Sequence, residues 1–243
     1  MPGVIDIHSH ALPGVDDGAR DTETAIEMLR IMYDEGITEA ILTPHYHRGH
    51  MQKDIATVRS RFDELAYRAK EDDVASHIRL HLGCELYYYP SAVEWLEEGR
   101  VSSMAGSDYV LLEFGYTMEK RTIIEGVSNV VRAGYRPIIA HVERYEGLRF
   151  KPENVRELVE CGAYIQVNSE SVGRGFGSRR FVSKLLREDL VHFVATDAHD
   201  TGSRRPRLRS AAMYIHKHFG EEACRRIFTD NPALVAENGY IPR

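Results

Sequence analysis

A short apolar strand pattern followed by a helical pattern recurs seven times along this chain of 243 residues. The strand patterns fall at 4–7, 40–43, 79–83, 109–112, 137–140, 163–167 and 191–195. Apolar runs this short, with helices between them, read as parallel strands joined by right-handed crossovers. Helical patterns cover 22–35, 54–71, 91–98, 123–133, the stretch from Pro152 to a stop at Gly162, and 179–187. The chain ends in helices over 207–218 and 221–228 and a short one after Asn231-Pro232. The first helix carries Ala25, Met28, Leu29 and Met32 on one face. Gly36, Gly99 and Gly134 stand where helices stop. These patterns predict an α/β fold, a (β/α) barrel of seven strands, with 1–243 as a single domain. An open doubly wound sheet is the alternative, and the lack of a glycine-rich loop after the first strand stands against it.

The residues just past the strands carry the chemistry. The first strand ends in His8 and His10, which share a face because strand residues i and i+2 do. The second ends in His45, the third in Glu85, the fourth in Glu113, the fifth in His141, and the seventh in Asp197 and His199. In a barrel the C-terminal strand ends converge on one face, where active sites sit. These eight groups would be strongly destabilising there without partners, and crowded acids push one another's pKa upward. Bound divalent cations resolve both problems. The mixed nitrogen and oxygen set suits Mn, Fe or Zn better than Mg or Ca, and is large enough for two or three ions. Taken singly, Glu85 reads equally well as a helix cap and Glu113 as a surface acid; their shared position in the strand–helix cycle decides. His47 and His50 read as loop residues. His77, His81, His192, His216 and His218 read as surface or packing residues, and Cys84 as buried and inert.

Asp16 and Asp17 lie in the loop after the first strand, in Pro-Gly-Val-Asp-Asp-Gly. Asp-Gly is a turn signal; the functional reading is a carboxylate over the metals, as ligand or proton donor, mainly Asp17. Arg144 follows His141 by three residues, and Arg204 and Arg205 lie just beyond His199. A guanidinium binds phosphate oxygens bidentately, so metals and arginines on one face point to a phosphate ester. Arg207 and Arg209 read as a solvated helix start. No cysteine is followed by arginine at the Cys-x5-Arg spacing, which excludes a thiolate-dependent phosphatase loop.

Composition excludes other classes. A net charge of −6 gives no general attraction to nucleic acid or anionic membrane. No apolar run approaches the roughly 18 residues of a membrane span. The opening Met-Pro-Gly-Val has no basic stretch before an apolar one, so no signal peptide is expected. Three widely spaced cysteines form no disulfide or zinc-thiolate framework, and a cytoplasmic location follows as the expectation.

Several motifs carry a family resemblance: Asp6-Ile-His-Ser-His10, Pro13-Gly-Val-Asp-Asp-Gly18, Gly83-Cys-Glu-Leu-Tyr-Tyr88, Ala140-His-Val-Glu-Arg-Tyr145, Gln166-Val-Asn-Ser169 and Thr196-Asp-Ala-His199. Together they resemble the manganese-dependent bacterial protein-tyrosine phosphatases of CpsB/YwqE type, in the polymerase and histidinol phosphatase (PHP) superfamily. The likeness runs from about Val4 to Leu234. It implies a distorted seven-stranded TIM-like barrel with up to three metals, most often Mn. It implies metal ligands at His8, His10, His45, Glu85, Glu113, His141, Asp197 and His199, and substrate or acid–base roles for Asp17, Arg144 and Arg204, with Arg205 as the alternative to Arg204. The substrate it implies is a tyrosine-phosphorylated protein, a bacterial tyrosine kinase of capsule or exopolysaccharide assembly. Self-association into a homo-oligomer is compatible with it. A histidinol-phosphate phosphatase, another PHP phosphoesterase or nuclease, and an inactive PHP interaction module are the rival readings. The full donor set argues against the last.

Overall fold

The computed structural model describes residues 3–242. Met1, Pro2 and Arg243, and with them the start on which the signal-peptide expectation rests, lie outside the described residues. The elements are β1 (Val4–Ser9), α1 (Thr22–Asp34), β2 (Ile37–Leu42), β3 (His45–Tyr46), α2 (Ile55–Lys70), β4 (Arg79–Leu82), β5 (Glu85–Tyr87), α3 (Ala92–Glu97) and β6 (Tyr109–Glu113). They continue with α4 (Lys120–Arg132), β7 (Arg136–Ile139), α5 (Pro152–Glu160), β8 (Tyr164–Asn168), α6 (Ser178–Arg187), β9 (Phe193–Ala195), α7 (Arg209–Phe219), α8 (Glu221–Arg225) and α9 (Asn231–Ala236). All strand pairings are parallel, as the helical crossovers require.

The described residues hold nine strand segments in two sheets, ordered β1-β2-β4 and β3-β5-β6-β7-β8-β9. The seven expected strand patterns appear as these nine segments. The second and third strand patterns are each split, at Thr43-Pro44 and at Gly83-Cys84. Pro44 has no N–H to give a ladder. Thr43 instead turns its N–H to the Ser9 carbonyl (2.8 Å), and its hydroxyl accepts from the Ser9 N–H (3.1 Å). At Gly83 a Cβ would stand 2.9 Å from Ile41 Cγ2, so only glycine lets the two passes approach this closely. Backbone bonds still cross the break, from Gly83 N to Leu42 O (2.7 Å) and from Glu85 N to Pro44 O (3.1 Å). On the far side, β1 meets the segment after β9 through a parallel bridge between Ser9 and Ala198. Asp6 fastens that seam, accepting from the Thr196 N–H (3.0 Å) and hydroxyl (2.5 Å).

Apolar residues sort onto two faces. Ile5, Ile7, Ile41, Tyr109, Leu111, Ile138, Ala140, Tyr164, Phe193 and Ala195 pack together inside the curled strands. Val110, Leu112, Ile139, Ile165, Val167 and Val194 face outward onto the helices, including Met28, Leu29 and Met32 of α1. The helices match the sequence patterns closely. Differences are that α4 starts at Lys120 rather than 123, and that the helix expected to 228 passes into a π turn at Arg226–Asp230.

Candidate metal centre

The inner face of each strand runs from apolar to polar towards its C-terminal end. Tyr109 and Leu111 lead to Glu113, Tyr164 to Gln166 and Asn168, and Phe193 and Ala195 to Asp197, each at the two-residue period of a strand. Three donors, His8, His10 and His141, reach this face by other means. In β1, Asp6 pairs with Ala40 and Ser9 with Leu42, so three steps on β1 match two on β2. That bulge swaps faces and lets His8 and His10 continue the side begun by Ile5 and Ile7. His141 follows inward-facing Ala140 and turns in through a left-handed backbone (φ 31°); Asp197 is left-handed too (φ 52°). Such backbone in a non-glycine residue costs energy and clusters at functional sites.

Glu85 is the hub. Its Oε2 lies 3.2 Å from His8 Nε2, 3.2 Å from His10 Nε2 and 3.0 Å from His45 Nδ1, and its Oε1 lies 2.9 Å from His141 Nε2. Glu113 stands 3.6 Å from His45 Nδ1 and 3.8 Å from His141 Nε2. Asp197 Oδ1 lies 3.6 Å from His10 Nε2 and 3.7 Å from His8 Nε2. His199 Nε2 and His45 Nε2 both approach Asp17 Oδ1, at 3.5 and 3.6 Å. All eight expected donors therefore meet in one place, and Asp17 joins them.

These residues fit divalent cations. His8 Nε2 and His10 Nε2 face each other at 3.2 Å, each equally far from Glu85 Oε2. That spacing is close to the ~3.3 Å edge of a tetrahedron with bonds of about 2.0 Å. Their other nitrogens are engaged, His8 Nδ1 with Gln166 Oε1 (3.3 Å) and His10 Nδ1 with Asp16 Oδ2 (2.8 Å). His199 Nδ1 is likewise held by the Asp197 carbonyl at 2.9 Å. Such outer contacts fix the tautomer and leave Nε2 bare for a metal. Glu85 Oε2 and His45 Nδ1 are buried without a hydrogen bond, since their 3.0 Å approach lacks hydrogen-bond geometry. Three overlapping groups have ligand spacing: His8, His10 and Glu85; His45, Glu85 and Glu113; and His10, Asp17, His45 and His199.

Burial and mutual charge set the titration of the donors. Burial and the neighbouring Glu85 push the Glu113 carboxyl up to about 9. Burial also opposes charge on Glu85, but His8 and His45 outweigh it and hold that carboxyl well below the usual range. Burial and His10 together press His199 down to about 2, a neutral imidazole. For His10 burial is overcome by Asp16, and its pKa stands well above 6.5.

Arg144 Nη1 lies 3.0 Å from Asp197 Oδ2, and Arg204 Nη2 lies 3.1 Å from Asp197 Oδ1. Both line the cleft of about 340 Å³ over the donors, as do Asp17, Tyr87, Tyr116 and His47. Arg205 is exposed and does not line it. His47, read from sequence as a loop residue, stacks flat on Tyr87 at 4.2 Å and walls the cleft, whereas His50 is exposed. Three residues orient the donors, a role the sequence reading gave to none of them. Asp16 grips His10 and the His45 N–H (2.9 Å). Gln166 accepts from the His141 N–H (2.6 Å), and Asn168 donates to Asp197 Oδ2 (2.8 Å). For Gln166 and Asn168 the signal was present: a polar residue at every second position of an apolar strand.

A family described as "Capsular polysaccharide synthesis, CpsB/CapC" matches residues 4–237. The chain belongs to the CpsB/CapC family. Tyrosine-protein phosphatase CpsB of Streptococcus pneumoniae is 36% identical over 245 residues, covering 98% of this chain and 100% of the relative. Tyrosine-protein phosphatase YwqE of Bacillus subtilis (strain 168) is 34% identical over 242 residues, covering 99% of this chain and 94% of the relative. Among solved structures, one described with YwqE from Bacillus subtilis and CpsB from Streptococcus pneumoniae as "unique metal-dependent tyrosine phosphatases" matches with a TM-score of 0.91 at 34% identity. It covers 98% of this chain and 96% of that one. The family resemblance drawn from the motifs is borne out. A mutant organophosphorus hydrolase from Deinococcus radiodurans has a TM-score of 0.60 at 12% identity, covering 96% and 93% of the two chains, and shares the fold alone.

Proposed function

We propose that this chain is a metal-dependent protein-tyrosine phosphatase. The observation that carries the reading is the convergence of eight nitrogen and carboxylate donors under a cleft that also presents Arg144 and Arg204. The names of the CpsB and YwqE relatives agree with it.

In this reading His8, His10, His45, Glu85, Glu113, His141, Asp197 and His199 hold two or three divalent ions, Mn first and Fe or Zn as alternatives. When bound, such ions neutralise phosphate oxygens and lower the pKa of a water to about 7. Arg144 and Arg204 would each turn a guanidinium from Asp197 towards the phosphate, hold it in line and balance charge that develops on its oxygens. Asp17, at the cleft mouth, would give a proton to the leaving phenolate. Tyr87 and His47 offer flat faces for the substrate ring. Hydrolysis would be direct, without a phosphoenzyme.

The fold in this reading is one distorted seven-stranded barrel domain, each split pass counting as a single strand. No helix among the described residues is long and apolar enough to cross a membrane. The proposed setting is the cytoplasm, and the proposed substrate a tyrosine kinase of capsule or exopolysaccharide assembly, with self-association into a homo-oligomer compatible. The test compares phosphate release by the metal-loaded enzyme from a phosphotyrosyl peptide and from histidinol phosphate. Preference for the peptide by tenfold or more in kcat/KM is expected; the reverse preference would replace the substrate.

A further inference from the structure

Arg174, Arg180 and Arg187 wall a concavity of about 380 Å³ between α6 and α7, with Tyr214 and His218 opposite. None of the three guanidiniums has an ion-pair partner among the described residues. The nearest acids in sequence are taken: Glu170 by Arg144 at 3.6 Å, Glu188 by Arg156 at 2.7 Å, and Asp189 by Arg226. α6 carries Arg179, Arg180, Lys184 and Arg187 and no acid, in a chain whose net charge is −6. Unpaired like charges facing one concavity repel, and an anion there relieves them.

A chain of contacts links the segment that walls the concavity to the metal centre. The 173–180 segment follows β8, whose last residue holds Asp197. Arg179 Nε donates to the Glu170 carbonyl (3.2 Å), and Glu170 Oε1 lies 3.6 Å from Arg144 Nη2. Arg180 and Arg187 are seven residues apart on α6, about 10 Å along a helix. That span exceeds one small anion and matches acidic groups about three residues apart on an extended chain. Phe176, next in sequence to the lining residue Gly175, is 94% exposed.

We infer that this groove binds an acidic polypeptide segment of the substrate protein, flanking the residue delivered to the metal centre. The substrate role rests on the phosphotyrosine reading; the binding of an acidic chain does not. Guanidiniums take carboxylates in bidentate pairs.

The test is fluorescence anisotropy of a labelled peptide in which four glutamates follow a tyrosine, with the full chain at low salt. Combined Arg174→Gln, Arg180→Gln and Arg187→Gln substitution is expected to weaken binding at least tenfold. Metal-restored turnover of p-nitrophenyl phosphate, too small to reach the groove, stays unchanged and reports an intact fold. Arg180→Gln alone shows the same direction should the triple variant fold poorly. Equal peptide affinity in wild type and variant overturns the inference. So does binding to phosphatidylserine vesicles through these arginines with none to the peptide. A wild type that binds the peptide through them but releases phosphate from no ester keeps the groove and removes the phosphotyrosine reading.

Discussion

Two adjacent carboxylates do different work. Asp16 points inward, its side chain fully buried, with one oxygen on His10 Nδ1 and on the His45 N–H. Asp17 is half exposed at the cleft mouth. The sequence favoured Asp17 for the functional role but could not show what Asp16 does, because both belong to one Asp-Asp-Gly turn signal and the difference is which one the turn folds under. Asp17→Asn should reduce phosphotyrosine turnover far more than turnover of p-nitrophenyl phosphate, whose leaving group needs no proton; equal losses would leave Asp17 only a ligand role. Asp16→Asn should instead lower both alike and weaken metal retention by about 10–100-fold, the usual cost of losing an outer carboxylate.

Titration at the centre gives a second prediction at the same scale. Burial and Glu85 raise Glu113 to about 9, so without metal this carboxyl holds its proton at pH 7. Ligation needs the carboxylate, so binding must release the proton. Apparent metal affinity should therefore rise from pH 7 towards 9. Calorimetry in two buffers of different ionisation enthalpy reads the released protons. A pH-independent affinity with none released would contradict this account of Glu113.

Among the elements, the strand–helix alternation was legible because apolar runs punctuated by glycine report burial directly. That the eight donors meet was legible for the same reason: each stands at a strand end, as His45 does after Thr-Pro. Two features were not. The split passes depend on how closely Ile41 and Gly83 approach, a contact between distant segments. The β1 bulge, which swings His8 and His10 inward, depends on register against β2. The β1–β9 seam gives the prediction for this scale. Thr196→Val keeps shape but removes the hydroxyl that donates to fully buried Asp6 and accepts from the Ala198 N–H (3.2 Å). Leaving such groups unpaired costs about 1–3 kcal/mol. Urea unfolding with metal chelated should show that loss; a change below about 0.5 kcal/mol would mean the seam is held by packing alone.

Across the whole molecule, an apolar interior ends in a polar mouth at the C-terminal strand ends. Tyr109, Tyr164 and Phe193 seal it beneath, and Glu85, His8 and His10 are wholly buried above. This arrangement concentrates imidazoles and acids where water does not screen them, and cations compensate it. Such a centre is expected to turn over substrate only with metal bound. The most direct test measures phosphate release from a phosphotyrosyl peptide by one preparation before chelation, after chelation, and after resupply of Mn, Fe or Zn. Loss of at least a hundredfold on chelation and recovery on resupply are expected, with Mn restoring most. Turnover that persists in protein shown to be free of metal would contradict this.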